Sequence, residues 1–135
     1  MERIYETYLK IVKNACTDSH RTESVNPADL PTLAGLAQNH CTVPYILPYL
    51  KSVSNYPFLK SQVKNMMLNY YQIEHFTLLT VSLLRDHNID CYLLKGLSLA
   101  ACYPVPEYRK LGDLDLYLAD PADLSNAQAV LESSG

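Results

Sequence analysis

This 135-residue sequence lacks any apolar run long enough to cross a bilayer, which needs roughly twenty consecutive apolar residues. The longest apolar stretch, around Phe76 to Leu84, is interrupted by Thr77, Thr80 and Ser82. An export signal is missing as well. Met1 to Lys13 spreads Glu2, Arg3, Glu6, Lys10 and Lys13 among apolar residues, the pattern of an amphipathic helix rather than of a leader peptide. A large charge of one sign is absent too. The formal net charge of -3 gives no reason for broad adhesion to nucleic acid or an anionic membrane, and leaves room only for a local basic patch. The four cysteines, Cys16, Cys41, Cys91 and Cys102, have no metal-type spacing, and neither do His20, His40, His75 and His87. His40 beside Cys41 is one ligand pair without partners. Reduced thiols in a cytoplasmic protein are therefore expected. There is no internal repeat and no low-complexity tract. A hydrophobic content of 48% against 19% charged residues argues for one packed domain of ordinary size rather than a disordered chain.

What is present begins with helices. Ile4, Tyr8, Ile11 and Val12 share a face over about Ile4 to Ala15. Thr17 to Asn26 is polar and unpatterned, a loop. Asn26 can cap a helix that starts at Pro27 and carries Leu30, Leu33, Leu36 and Ala37 to about His40. A short helix over Val43 to Leu50 has Pro44 in its first turn, and Pro48 limits it. After the break Ser52 to Tyr56, one long helix is predicted from about Phe58 to His87. Its face is Val63, Met66, Tyr70, Ile73, Thr77, Thr80 and Leu84, and Asn88 stops it. At about 1.5 Å per residue it exceeds 40 Å, long enough to bend.

The pattern then changes. Ile89 to Leu94 reads as a buried strand, Leu97 to Cys102 as one or two helical turns, and Pro104 and Pro106 as an extended loop. Leu114, Leu116 and Leu118 alternate with Asp113, Asp115 and Tyr117 in a period-two strand, and Ala122 to Leu131 is helical after Pro121. On such a strand Asp113 and Asp115 project from one face, about 6–7 Å apart at their attachment points. Paired oxygen ligands of this kind suit Mg²⁺ or Mn²⁺, with nucleotide phosphates completing the shell. Taken alone, Asp-Leu-Asp-Leu more often describes an edge strand whose carboxylates face water. Gly96 lies between a strand and a helix, where the missing side chain lets phosphate oxygens reach backbone N–H groups, and Ser98 adds a hydroxyl donor. Cys91, near these residues, reads as a strand thiol rather than a nucleophile. Tyr45, Tyr49, Tyr70 and Tyr71 read as core or groove residues. Without a basic stripe beside them, nucleic-acid binding is not expected.

The order of Lys95-Gly96, Tyr103-Pro104-Val105-Pro106, Arg109 and Asp113-Leu114-Asp115 resembles the poorly characterised bacterial nucleotidyltransferase family of the polymerase-β-like nucleotidyltransferase superfamily. The likeness covers about thirty residues, 89–119. It implies that Gly96 and Ser98 contact nucleotide phosphates and that Asp113 and Asp115 are the catalytic metal ligands, for Mg²⁺ or Mn²⁺. Arg109 would bind a phosphate bidentately or form an ion pair with Glu107 or Asp113. Lys95 would contact a phosphate or stay solvated at the strand end. The sequence departs from the superfamily in two places. Leu97 stands where a second small residue is usual. The third carboxylate of active members has no counterpart on a later strand, because Asp120, Asp123 and Glu132 fall on the following turn and helix, where capping explains the first two.

The expected fold is α+β: a helical N-terminal portion, 1–60, and then, over 61–135, the long helix and an incomplete nucleotidyltransferase-like mixed β-sheet with flanking helices. The expected activity of the complete enzyme is transfer of a nucleoside monophosphate from an NTP to an unknown acceptor hydroxyl. This 135-residue stretch reads as a fragment or a degenerate relative, inactive by itself. The alternative is a catalytically inactive nucleotide-binding or protein-interaction module. An exposed sheet edge is also expected to allow self-association.

Overall fold

The computed structural model describes residues 2–17 and 21–134. The loop expected over Thr17–Asn26 falls partly on residues 18–20, which, with His20, lie outside the described residues. The remainder, 21–26, is irregular.

Helix α1 (Glu2–Cys16) buries Tyr8 and Ile11, and Ile4 and Val12 pack beside them. Asn26 acts as predicted: its side-chain oxygen accepts from the Ala28 N–H and starts a 3₁₀ turn, Pro27–Asp29, that runs into α2 (Leu30–Asn39). Leu30, Leu33, Ala34, Leu36 and Ala37 of α2 are buried. Helix α3 spans only Val43–Ile46 and tightens to a 3₁₀ turn over Leu47–Tyr49. The reason is local: Pro48 has no N–H to offer the carbonyl four residues earlier. Leu33, Ile46, Leu50 and Leu59 are fully buried at the centre of this cluster. Each such side chain contributes about 1.5–3 kcal/mol by leaving water.

Helix α4 (Tyr56–Asp86) is the spine. Its buried residues, Leu59, Val63, Tyr70, Thr77, Thr80 and Leu84, fall on one face and serve successive clusters. Leu59 and Val63 enter the N-terminal core, Tyr70 packs with Ala100 and Leu111, and Leu84 packs with Ile89, Ala127 and Val130. The buried Thr77 and Thr80 hydroxyls donate to the carbonyls of Ile73 (2.6 Å) and Phe76 (2.8 Å), so neither is left unsatisfied. The helix stops as expected at Asn88, whose φ of 57° is left-handed, a conformation asparagine tolerates.

Two strands follow, β1 (Cys91–Leu94) and β2 (Asp115–Leu118), paired antiparallel with Cys91 opposite Leu118 and Leu94 opposite Asp115. Cys91, Leu116 and Leu118 turn toward Leu84, Ile89 and the helix α6 (Leu124–Ser133), while Tyr92 and Tyr117 stand exposed on the other face. The architecture is α+β with a helical N-terminal portion. One expectation is corrected: β1 is not buried. Its residues alternate half-buried and exposed, because helices cover one sheet face only. Between the strands lie the five-residue α5 (Gly96–Ala100) and a 3₁₀ turn at Pro106–Tyr108 in the proline-rich loop. The Tyr108 ring meets Tyr45 of α3 edge-on at 5.5 Å, tying that loop to the N-terminal core. Burial, with Cys16 nearby, pushes the Tyr45 hydroxyl far above its ordinary pKa, and it has no hydrogen-bond partner among the described residues. Asp120 caps the last turn as expected, accepting from Ala122 N–H at 2.8 Å. Among the described residues no helix is long and apolar enough to cross a membrane.

Candidate functional site

The end of β1 is where the backbone departs from ordinary conformations. Lys95 has φ 34° and ψ -143°, and Gly96 has φ 45°. For glycine this is free of penalty, whereas for lysine it is strained. A side-chain carbon placed on Gly96 would lie 3.7 Å from the Asp113 carbonyl oxygen, an ordinary contact. Gly96 is therefore required by its dihedral angles rather than by lack of space. The same distance shows that the glycine turn lies directly against the backbone of Asp113.

Register explains this closeness. Leu94, the last residue of β1, pairs with Asp115, the first of β2. The residues just after one strand must then meet those just before the other. Across this junction the Lys95 ammonium sits 3.0 Å from Asp115 Oδ2. Asp115, and more weakly Asp113, hold the ammonium above its ordinary pKa. Ser98 Oγ donates back to the Lys95 carbonyl at 2.6 Å, fastening the strained turn to α5. Arg109 Nε donates to the Gly96 carbonyl at 3.0 Å, and its guanidinium lies 5.9 Å over the Tyr103 ring.

All six candidate residues, Lys95, Gly96, Ser98, Arg109, Asp113 and Asp115, thus gather at one end of the sheet. Two details differ from expectation. Asp113 is not on the strand, since β2 begins at Asp115, and it is exposed while Asp115 is half-buried. Facing across the pleat therefore does not govern the pair; the approach to the strand does. Among the described residues Arg109 forms no ion pair with Glu107 or Asp113. Glu107 instead accepts a short hydrogen bond from Tyr71 of α4, which draws its carboxyl below the usual range.

Sequence reasoning missed the grip of α4 on this loop. Asn69 donates its amide to the Leu111 carbonyl at 2.9 Å, two residues before Asp113, and Tyr71 holds Glu107 two residues before Arg109. The available signal was a run of carboxamides at helical spacing, Gln62, Asn65 and Asn69, on a helix otherwise patterned for a core.

A family model described as "Uncharacterised nucleotidyltransferase" matches residues 26–135. The chain belongs to that family. The match takes in α2, α3 and α4 as well as the sheet, so the helical portion from residue 26 onward is part of the family pattern, and not only the thirty residues that suggested it. No curated protein and no solved structure matches the chain.

The divalent cation that the resemblance implies would meet a donor set that fits it in kind. Asp113 and Asp115 offer hard carboxylate oxygens on neighbouring backbone, and Asp115 is paired with the Lys95 ammonium at 3.0 Å. No group of three or more His, Cys, Asp or Glu side chains comes together among the described residues. The two carboxylates would therefore hold a metal only with phosphate or water oxygens completing its shell.

Proposed function

We propose that this nucleotidyltransferase-family chain binds Mg-NTP, or the manganese form, at the junction of β1 and β2, and presents it for transfer of the nucleoside monophosphate to an acceptor hydroxyl. The convergence of the Gly96 turn, Lys95 and both aspartates at one sheet end carries this reading. Asp113 and Asp115 would hold the cation, which supplies Lewis-acid charge to the phosphates and to the leaving pyrophosphate. The Gly96 turn leaves room for phosphate oxygens against backbone N–H groups, and the Ser98 hydroxyl, donating to the Lys95 carbonyl, fastens that turn. With the carboxylates engaged by the cation, the Lys95 ammonium, now paired with Asp115, would be free to contact a phosphate oxygen. Arg109 has its Nε committed to Gly96, which leaves the terminal guanidinium nitrogens to meet a second phosphate. In the transfer the acceptor oxygen bonds to the α-phosphorus and the bond to the α–β bridging oxygen breaks. Pyrophosphate leaves and the hydroxyl proton passes to water.

Calorimetric titration with ATP, CTP, GTP and UTP, each with and without Mg²⁺, tests the site. The expected result is Mg²⁺-dependent binding, abolished in Asp113→Asn and in Asp115→Asn while the circular dichroism spectrum stays unchanged. Unaltered affinity in both variants would sink the metal assignment. That no group of three or more His, Cys, Asp or Glu side chains forms among the described residues favours a second reading, a module that binds Mg-NTP without turning it over. Binding with no pyrophosphate release in the presence of any acceptor would select it.

A further inference from the structure

A groove of about 470 Å³ runs between α2 and α4 and closes on the segment Lys110–Leu111. That volume is ample for a small molecule. Its walls carry an unusual chemistry. Gln62, Asn65 and Asn69 follow one another at three- and four-residue steps along one face of α4, and Gln38 of α2 faces them. Gln38 Nε2 donates to Gln62 Oε1 at 3.3 Å, leaving the Gln38 carbonyl oxygen and the Gln62 amino group open. Asn69 spends its amino group on Leu111 and keeps its carbonyl oxygen. The groove thus offers both donors and acceptors, as a set of sugar hydroxyls does. No carboxylate lines it, and Lys110 is its one formal charge. A cationic ligand would find no partner there, whereas a phosphate would.

We propose that this groove is the acceptor subsite and that it takes a small polyhydroxylated compound bearing an anionic group, of the sugar phosphate class. The proposal rests on the nucleotidyltransferase reading above for its role as acceptor. Position supports the link: Leu111 lines the groove and stands two residues before Asp113, a span of about 7 Å at most along the chain. A hydroxyl held at that end approaches the α-phosphorus of a nucleotide bound at the Gly96 turn, and the exchange of bonds is the one given above.

The test uses the full ¹⁵N-labelled chain, with glucose 6-phosphate, glucose and glucosamine as separate millimolar probes. Mg-ATP affinity is measured in parallel by calorimetry. Glucose 6-phosphate is expected to shift the side-chain amide signals of Gln38, Gln62 and Asn65, glucose to shift them less, and glucosamine not at all. Lys110→Gln should weaken glucose 6-phosphate about tenfold, toward the affinity for glucose, and Asn65→Leu on the exposed helix surface should weaken both sugars. Mg-ATP binding should be unchanged in both variants, and Asp113→Asn should leave the sugar shifts intact. Mg-ATP binding without any amide shift from glucose 6-phosphate would overturn the groove and leave the nucleotide site standing. Shifts confined to residues around Lys95 and Arg109 would overturn it as well, by placing the phosphate at the nucleotide site. Equal shifts from glucosamine would overturn the charge assignment. Groove shifts with no Mg-ATP binding would support the ligand site and remove its role as acceptor.

Discussion

The two ends of α4 are built on opposite terms. At its N-terminal end, Leu59 and Val63 join ten other buried residues drawn from α1, α2, α3 and the turns between them. From its midpoint to its C-terminal end the helix serves two small clusters, one centred on Tyr70, Ala100 and Leu111 and the other on Leu84, Ile89, Ala127 and Val130. The first region concentrates apolar burial and, among the described residues, keeps its backbone ordinary apart from Cys41. The second leaves a sheet face open, holds Lys95 in a strained conformation and gathers its charged groups there. The larger apolar core and the candidate site are separated along one helix. The strain at Lys95 is tolerable because the anchoring is supplied elsewhere.

The contrast predicts where substitutions hurt most. Leu33→Ala or Ile46→Ala, both fully buried, should each cost about 2–5 kcal/mol, read as a drop in the urea midpoint. Leu116→Ala, at the partly buried inner sheet face, should cost about half as much or less. Equal losses in the two regions would break the comparison. Next in size is the turn. Gly96→Ala should cost about 1 kcal/mol, because alanine resists a φ of 45° although it has space. Lys95→Gly and Lys95→Ala both lose the pair with Asp115, and the glycine variant should have the higher midpoint because it relieves φ 34°, while both weaken Mg-NTP binding. An equal or lower midpoint in Lys95→Gly than in Lys95→Ala would show that the turn is not strained.

The smallest effect concerns pH. The Tyr71 hydroxyl holds Glu107 below its ordinary pKa, so the pair stabilises the fold fully above about pH 4.3, the unperturbed value. That contribution is lost as pH falls through the lower folded pKa. Tyr71→Phe should therefore return the Glu107 titration, followed by carboxyl NMR shifts, toward the usual value. Its small stability deficit at neutral pH should vanish in acid. An unchanged Glu107 titration would remove the loop tether from the comparison.

Much of this could be read locally. Helical periodicity located α1, α2 and α4 within a few residues, since burial on one face repeats every three or four positions whatever lies opposite. Asn26, Asp120 and Asn88 announced helix ends because capping and left-handed dihedrals involve only neighbouring atoms. Lys95-Gly96 and Asp113-Leu114-Asp115 pointed to the candidate site because their types are unusual at those places. The exposure of β1 was not legible: four residues of Cys-Tyr-Leu-Leu read the same whether one face or both are covered. Nor could the spacing tell that Asp113 stands before the strand, since the strand begins where pairing begins, and that depends on the register with Leu94.

The sequence by itself determined which segments are helical, where they stop, and which residues carry the nucleotidyltransferase pattern, because dihedral preference and hydrophobic period act over a few residues. Only the tertiary structure decided that Lys95 meets Asp115, that Arg109 holds Gly96 rather than an acid, and that Asn69 and Tyr71 grip the loop from α4. These partners lie 13 to 42 positions apart or across a strand pair. Choosing among them requires the register of the sheet and the packing of the spine helix, which no local rule contains.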